Sequence, residues 1–180
     1  GHFWPRRTVT PAAVPAVGGA VSADDIERAL AAFWESLDDD ADLAAADARL
    51  LAIIDGLPVA RILFERASLR DALGFEADAV PLYEAAIAAD LPSPDAERAV
   101  IQLASSLRNL GRADQGLALL EPLVEDAAVG AQAAAFATLC LIDLGRNAEA
   151  ARLALSALAP RLPEYGRAVS SYVDDLPEPE

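Results

Sequence analysis

Apolar residues recur along most of this chain at helical spacing, and three leucine-glycine pairs cut the pattern into intervals. Leu73-Gly74, Leu110-Gly111 and Leu144-Gly145 each close one periodic run and open another, with the glycines 37 and 34 residues apart. A glycine just past a periodic run is a common helix stop. Each interval therefore holds two helices and a turn, and a period of that length marks an array of helix pairs. Upstream, Ile26, Leu30, Phe33, Trp34 and Leu37 form one apolar stripe that must be covered. Ser22, with Asp25 three residues on, opens that helix as a near capping box. Asp42 is expected to cap a second helix through Ala46, Leu50, Ile53 and Ile54, ending at Gly56, with Pro58 as the first residue of the next. Ser93-Pro94 predicts a cap and a first-turn proline, and Pro122 predicts a kink or an early helix end. After Pro163, residues Glu164 to Leu176 read as a last helix, with Tyr165, Val169, Tyr172 and Val173 inward and Arg167, Asp174 and Asp175 outward.

Residues 58–160 resemble the tetratricopeptide repeat, a pair of antiparallel helices of about 34 residues. The small contact residues of that family appear as Ala67, Ala79 and Ala86, then Ala104 and Gly116, then Ala150 and Ala157, and its mid-helix aromatic as Tyr83. Several positions depart from the pattern. Leu120 and Ala154 replace the aromatic, Leu123 and Thr138 replace small residues, Arg66 and Arg70 stand where apolar residues are usual, and the first-helix Trp is Leu63, Val100 and Ala134. The resemblance implies an all-α, right-handed solenoid: an extended arm over 1–21, a helix pair over 22–57, three repeats over 58–160, a capping helix over 161–176 and a tail over 177–180. It also implies a concave groove lined by the leading helices. Carried across, the groove positions are Arg61, Phe64, Ser68 and Asp71, then Arg98, Ile101, Gln102, Ser105, Arg108 and Asn109, then Gln132. Arg, amides and hydroxyls around two apolar residues suit a peptide groove, although the same set would serve as the wet side of a solenoid. Some family members hold a terminal carboxylate with a clamp rich in Lys and Asn. This chain has no Lys, so Arg98 and Arg108 would have to act as planar two-donor forks.

Composition narrows the function. The hydrophobic share of 54% excludes wholesale disorder. All basic residues are Arg, which fits a high-GC coding bias. The net charge of −15 repels phosphate backbones, so no nucleic-acid partner is expected. No apolar run reaches the length needed to span a bilayer, so no membrane partner is expected either. Cys140 is the single cysteine, which excludes an internal disulfide and Cys-pair metal motifs and fits a reducing cytoplasm. It stands among Phe136, Leu139, Leu141 and Ile142 and reads as a core thiol. The run Asp38-Asp39-Asp40-Ala41-Asp42 starts like a calcium loop, but Leu43 stands where Gly is needed and Arg49 where a bidentate Glu is needed. The only His is His2, and no phosphate-binding loop with Lys exists, so neither an enzyme nor a cofactor is expected.

The arm carries Pro5, Pro11, Pro15 and Gly18-Gly19, which favour extended backbone. Gly1-His2 reads as a tag scar. The Arg6-Arg7 pair before an apolar patch is superficially like a secretion signal, but the prolines break the patch and it has no Leu. Phe3, Trp4, Arg6 and Arg7 are the anchors with which the arm would dock on an acidic surface, in cis or on a sister molecule. Two functions remain open. One is an adaptor binding another protein's peptide or helix in the groove; the other is a self-assembly module that forms homo-oligomers through the arm or the Trp34 helix.

Overall fold

Gly74, Gly111 and Gly145 have φ of +79°, +76° and +75°, the left-handed region that only glycine enters without strain. Each ends a leading helix in the same way. The amide of the glycine donates to the carbonyl three residues back, and the next amide donates to the one five back: Phe75 to Arg70 at 2.8 Å, Arg112 to Leu107 at 2.9 Å and Arg146 to Leu141 at 2.8 Å. Three identical Schellman ends satisfy carbonyls that the helix leaves open, and they send the chain into the following helix.

The computed structural model describes residues 22–176. It is all-α, with nine α-helices and no strand among the described residues. In chain order they are α1 Ala23–Glu35, α2 Leu43–Ile54, α3 Val59–Ala72, α4 Glu76–Ala88, α5 Asp95–Asn109, α6 Ala113–Leu120, α7 Gly130–Asp143, α8 Asn147–Leu158 and α9 Gly166–Asp174. Two 3-10 turns follow α6 and α8, Glu121–Leu123 and Ala159–Arg161, each with a proline at its start. The early stop of α6 at Leu120 is the end expected of Pro122. The described residues divide into two compact units, the first ending at Ala89 and the second starting at Asp90.

In the first unit, Ser22 and Asp25 close a full capping box, and Asp42 accepts from the amide of Ala45 at 2.9 Å. Leu30, Phe33 and Leu37 of the first stripe are buried with Ala46, Leu50, Ile54 and Leu69. Ala67, Ala79, Tyr83 and Ala86 have no exposed surface, so α3 and α4 meet over small residues with the Tyr83 ring filling the gap near Phe64. Arg66 and Arg70, out of place for an apolar position, both fork onto Asp47. Arg66 Nε and Nη2 donate at 3.0 and 2.7 Å, Arg70 Nη1 and Nη2 at 3.2 and 3.3 Å, and the pairs tie α3 to α2. The Arg66 hydrogen bonds, with Arg70 adding to them, lower the Asp47 carboxyl from an ordinary 3.8 to about 2.

In the second unit, a Cβ on Gly116 would meet the Ala104 carbonyl oxygen at 2.7 Å and Cys140 Sγ at 3.3 Å. Glycine there lets α5, α6 and α7 converge, and Cys140 is fully buried at that junction. Asp126 orders the turn that leads into α7 by accepting from the amides of Ala128 and Val129 at 2.8 and 2.9 Å. Arg152 of α8 donates to the carbonyls of Val173 and Leu176, closing the C-terminal end of α9.

Three local expectations are corrected. Ser93 bonds the Glu97 carboxylate instead of capping a backbone amide, and α5 starts one residue after Pro94, at Asp95. The last helix starts only at Gly166 and buries Val173. Tyr165 and Tyr172, expected inward, are 76% and 71% exposed; Tyr165 precedes the helix, at φ +63°, and so falls outside its periodicity. α3 likewise starts one residue after Pro58, at Val59. Outside these corrections, the acidic run 38–40 is an exposed turn. The arm, with Phe3, Trp4, Arg6 and Arg7, and the tail lie outside the described residues.

Candidate interaction surface

The expected groove residues fall into three stripes, one on each leading helix. On α3 the stripe is closed within the first unit. Phe64 and Ser68 are buried, and Ser68 Oγ donates to the Phe64 carbonyl at 3.0 Å. Arg61 donates to Glu65 at 2.8 Å and to Glu27 of α1 at 3.1 Å. Glu65, 2% exposed, also accepts from Trp34 Nε1 at 3.1 Å. A buried carboxylate is tolerated only when its oxygens are satisfied, and here a guanidinium and an indole satisfy them. Asp71 accepts from Tyr83 Oη at 3.4 Å. Burial first, then the Asp71 charge, pushes the Tyr83 phenol well above its usual range. The first stripe, read from the sequence as open to a ligand, is thus largely a polar seam of the fold.

On α5, Ile101 and Ser105 are buried as well. Gln102 is partly buried. Arg98 stays half-exposed beside Asp95 at 3.2 Å, and Asn109 is exposed. Arg108 is engaged: its Nη2 donates to Asp143 Oδ1 of α7 at 3.1 Å. Its Nε lies 2.7 Å from Oδ2, close enough to attract but poorly aligned to donate. A carboxylate from a partner would have to displace Asp143 to reach this fork.

On α7 the stripe is open. Gln132, Ala135, Leu139 and Ile142, spaced three, four and three residues apart, are all exposed, Leu139 at 37% and Ile142 at 49%. That spacing keeps them on one helix face, and Asp143 with its partner Arg108 borders the C-terminal end. The sequence reading kept Gln132 but left Leu139 and Ile142 in the apolar run around Cys140. The signal was present: shifted by 34 residues, they occupy the positions of Ser105 and Arg108. The opposite face of the helix holds the thiol, and burial pushes Cys140 above its ordinary pKa.

Among the described residues no group of His, Cys, Asp and Glu side chains is arranged to hold a metal, and no helix is long and apolar enough to cross a membrane. Helix pairs with this end geometry and small-residue contacts define a helical repeat module. The family model for the tetratrico peptide repeat matches residues 60–176, and the chain belongs to that family. A protein of this family is a module for interaction with other proteins. The chain matches none of the curated proteins and none of the solved structures with which it was compared.

Proposed function

We propose that the chain is an adaptor that binds a peptide or helix of another protein along the leading-helix face of its second unit. The observation that carries this is the exposed stripe Gln132, Ala135, Leu139 and Ile142, bordered by the Arg108–Asp143 pair. Apolar side chains left in water at helical spacing, next to a polar rim, are the make-up of a recognition surface. Arg98, Asn109 and Gln132 supply donors and acceptors beside it, while the buried Phe64, Ser68, Ile101 and Ser105 hold the helices in place.

Ile142→Glu is the test. Capture from a native lysate, with wild type and variant side by side, should show at least one partner lost by the variant while the thermal melt stays within a degree or two of wild type. A partner retained by Ile142→Glu and by Leu139→Glu, with both melts unchanged, overturns the reading. Self-assembly is the alternative. Of its two anchors, Trp34 is half-buried and hydrogen-bonded to Glu65, and the arm lies outside the described residues.

A further inference from the structure

Within the second unit, α7 packs against both α5 and α6 and lies in the groove between them. The face it turns inward is small, with Ala133, Ala137 and Cys140 fully buried, and Gly116 beneath leaves no room for a methyl group. The following pair, α7 and α8, presents the next groove of the same series. Ala131 and Ala135 line one wall, Ala154, Ala157 and Leu158 the other, and Arg161 stands at one end of a space of about 380 Å³. Leu158 is 47% exposed there. The last helix does not fill it. α9 has 9 residues against 14 in α7 and 15 in α5, it packs on α8 and on the turn after α8, and it contributes nothing to the lining.

We propose that this groove receives an α-helix of another protein. That helix carries Ala or Gly at i, i+4 and i+7 on its buried face and an acidic residue in its first turn. The argument is continuity with an interface the molecule already contains, since α7 shows which surface such a groove accepts. The small stripe follows from the alanine walls, which admit close backbone approach. The acid follows from direction. α5 and α7 run the same way, joined near their C-terminal ends by Arg108 and Asp143. A helix continuing the series therefore starts beside Ala131 and Arg161. Arg161 has no carboxylate partner among the described residues, and its guanidinium donates to the Ala157 carbonyl. A carboxylate in the first turn satisfies both that cation and the positive end of the incoming helix.

The probe is a hydrocarbon-stapled, fluorescein-labelled peptide of residues 130–143, with Cys140→Ala and a Glu placed in its first turn, titrated against the full chain and read by anisotropy. Saturable binding is expected. Ala154→Arg blocks one wall and should weaken it about tenfold or more. Arg161→Glu should weaken it about threefold, and a probe with Arg in the first turn should recover part of that loss, the helix end still disfavouring the cation. Both substitutions are at exposed positions, and thermal melts establish that the variants fold. No saturable binding, or binding undiminished by Ala154→Arg in a folded protein, overturns the proposal. The leading-face reading is judged separately, by Ile142→Glu and its native partner.

Discussion

Glu65 is a glutamate at 2% exposure in the middle of a helix, and its stability rests on two donors from different elements, Arg61 and Trp34. Removing a donor to a buried carboxylate costs desolvation in addition to the bond itself. Trp34→Phe should therefore destabilise the chain by roughly 1–3 kcal/mol in urea unfolding, although the ring volume is largely kept. Asp47 supplies a pH-dependent counterpart. Its folded pKa of about 2 lies below the ordinary 3.8, so its contribution is present above the unfolded value and is lost as pH falls through about 2. The stability gap between wild type and Asp47→Asn should be about 1–2 kcal/mol near neutrality and should close between pH 4 and pH 2. A gap that stays constant over that range would mean that Asp47 acts through packing. Neither residue was legible as structural in the sequence, because Trp34 reaches Glu65 from α1 and both arginines that hold Asp47 come from α3.

At the scale of the element, helix ends and helix contacts are the two determinants. Gly111 stands at φ +76° in one of three identical helix ends. Gly111→Ala meets no neighbouring atom, so its expected cost of about 1–2 kcal/mol comes from backbone strain alone. Gly116→Ala differs in kind, because its methyl would press on the Ala104 carbonyl oxygen and on Cys140. It should cost roughly 1–3 kcal/mol and raise the rate at which an added maleimide labels Cys140, a thiol otherwise buried and slow to react. Equal labelling rates in wild type and Gly116→Ala would show that the junction does not open. The helix ends were readable from the leucine-glycine pairs, whereas the backbone approach at Gly116 was only implied by family resemblance.

At the scale of the whole molecule, the question is which leading faces remain available to a partner. Sequence alone assigns most groove positions to the first two leading helices and only Gln132 to the third. The structure separates them, since the α3 stripe is taken up by packing and ion pairs, the α5 stripe is mixed, with Ile101 and Ser105 buried but Arg98 and Asn109 exposed, and the α7 stripe is open. Ile142→Glu should accordingly abolish partner capture, whereas Arg108→Glu should also lower stability, because it sets two carboxylates against each other beside Asp143. If Arg108→Glu melts like wild type, the pair is dispensable to the fold and available to a ligand.

The sequence by itself determined that the chain is helical, where most helices stop and which residues share a face, because periodicity, glycine stops and side-chain caps are properties of the local backbone. Only the tertiary structure decided which of those faces are covered. Whether Ser68 or Leu139 meets solvent depends on what packs against its helix, and the ion pairs that join one helix to another, Arg61–Glu27, Arg66–Asp47 and Arg108–Asp143, link residues 34, 19 and 35 positions apart in the chain.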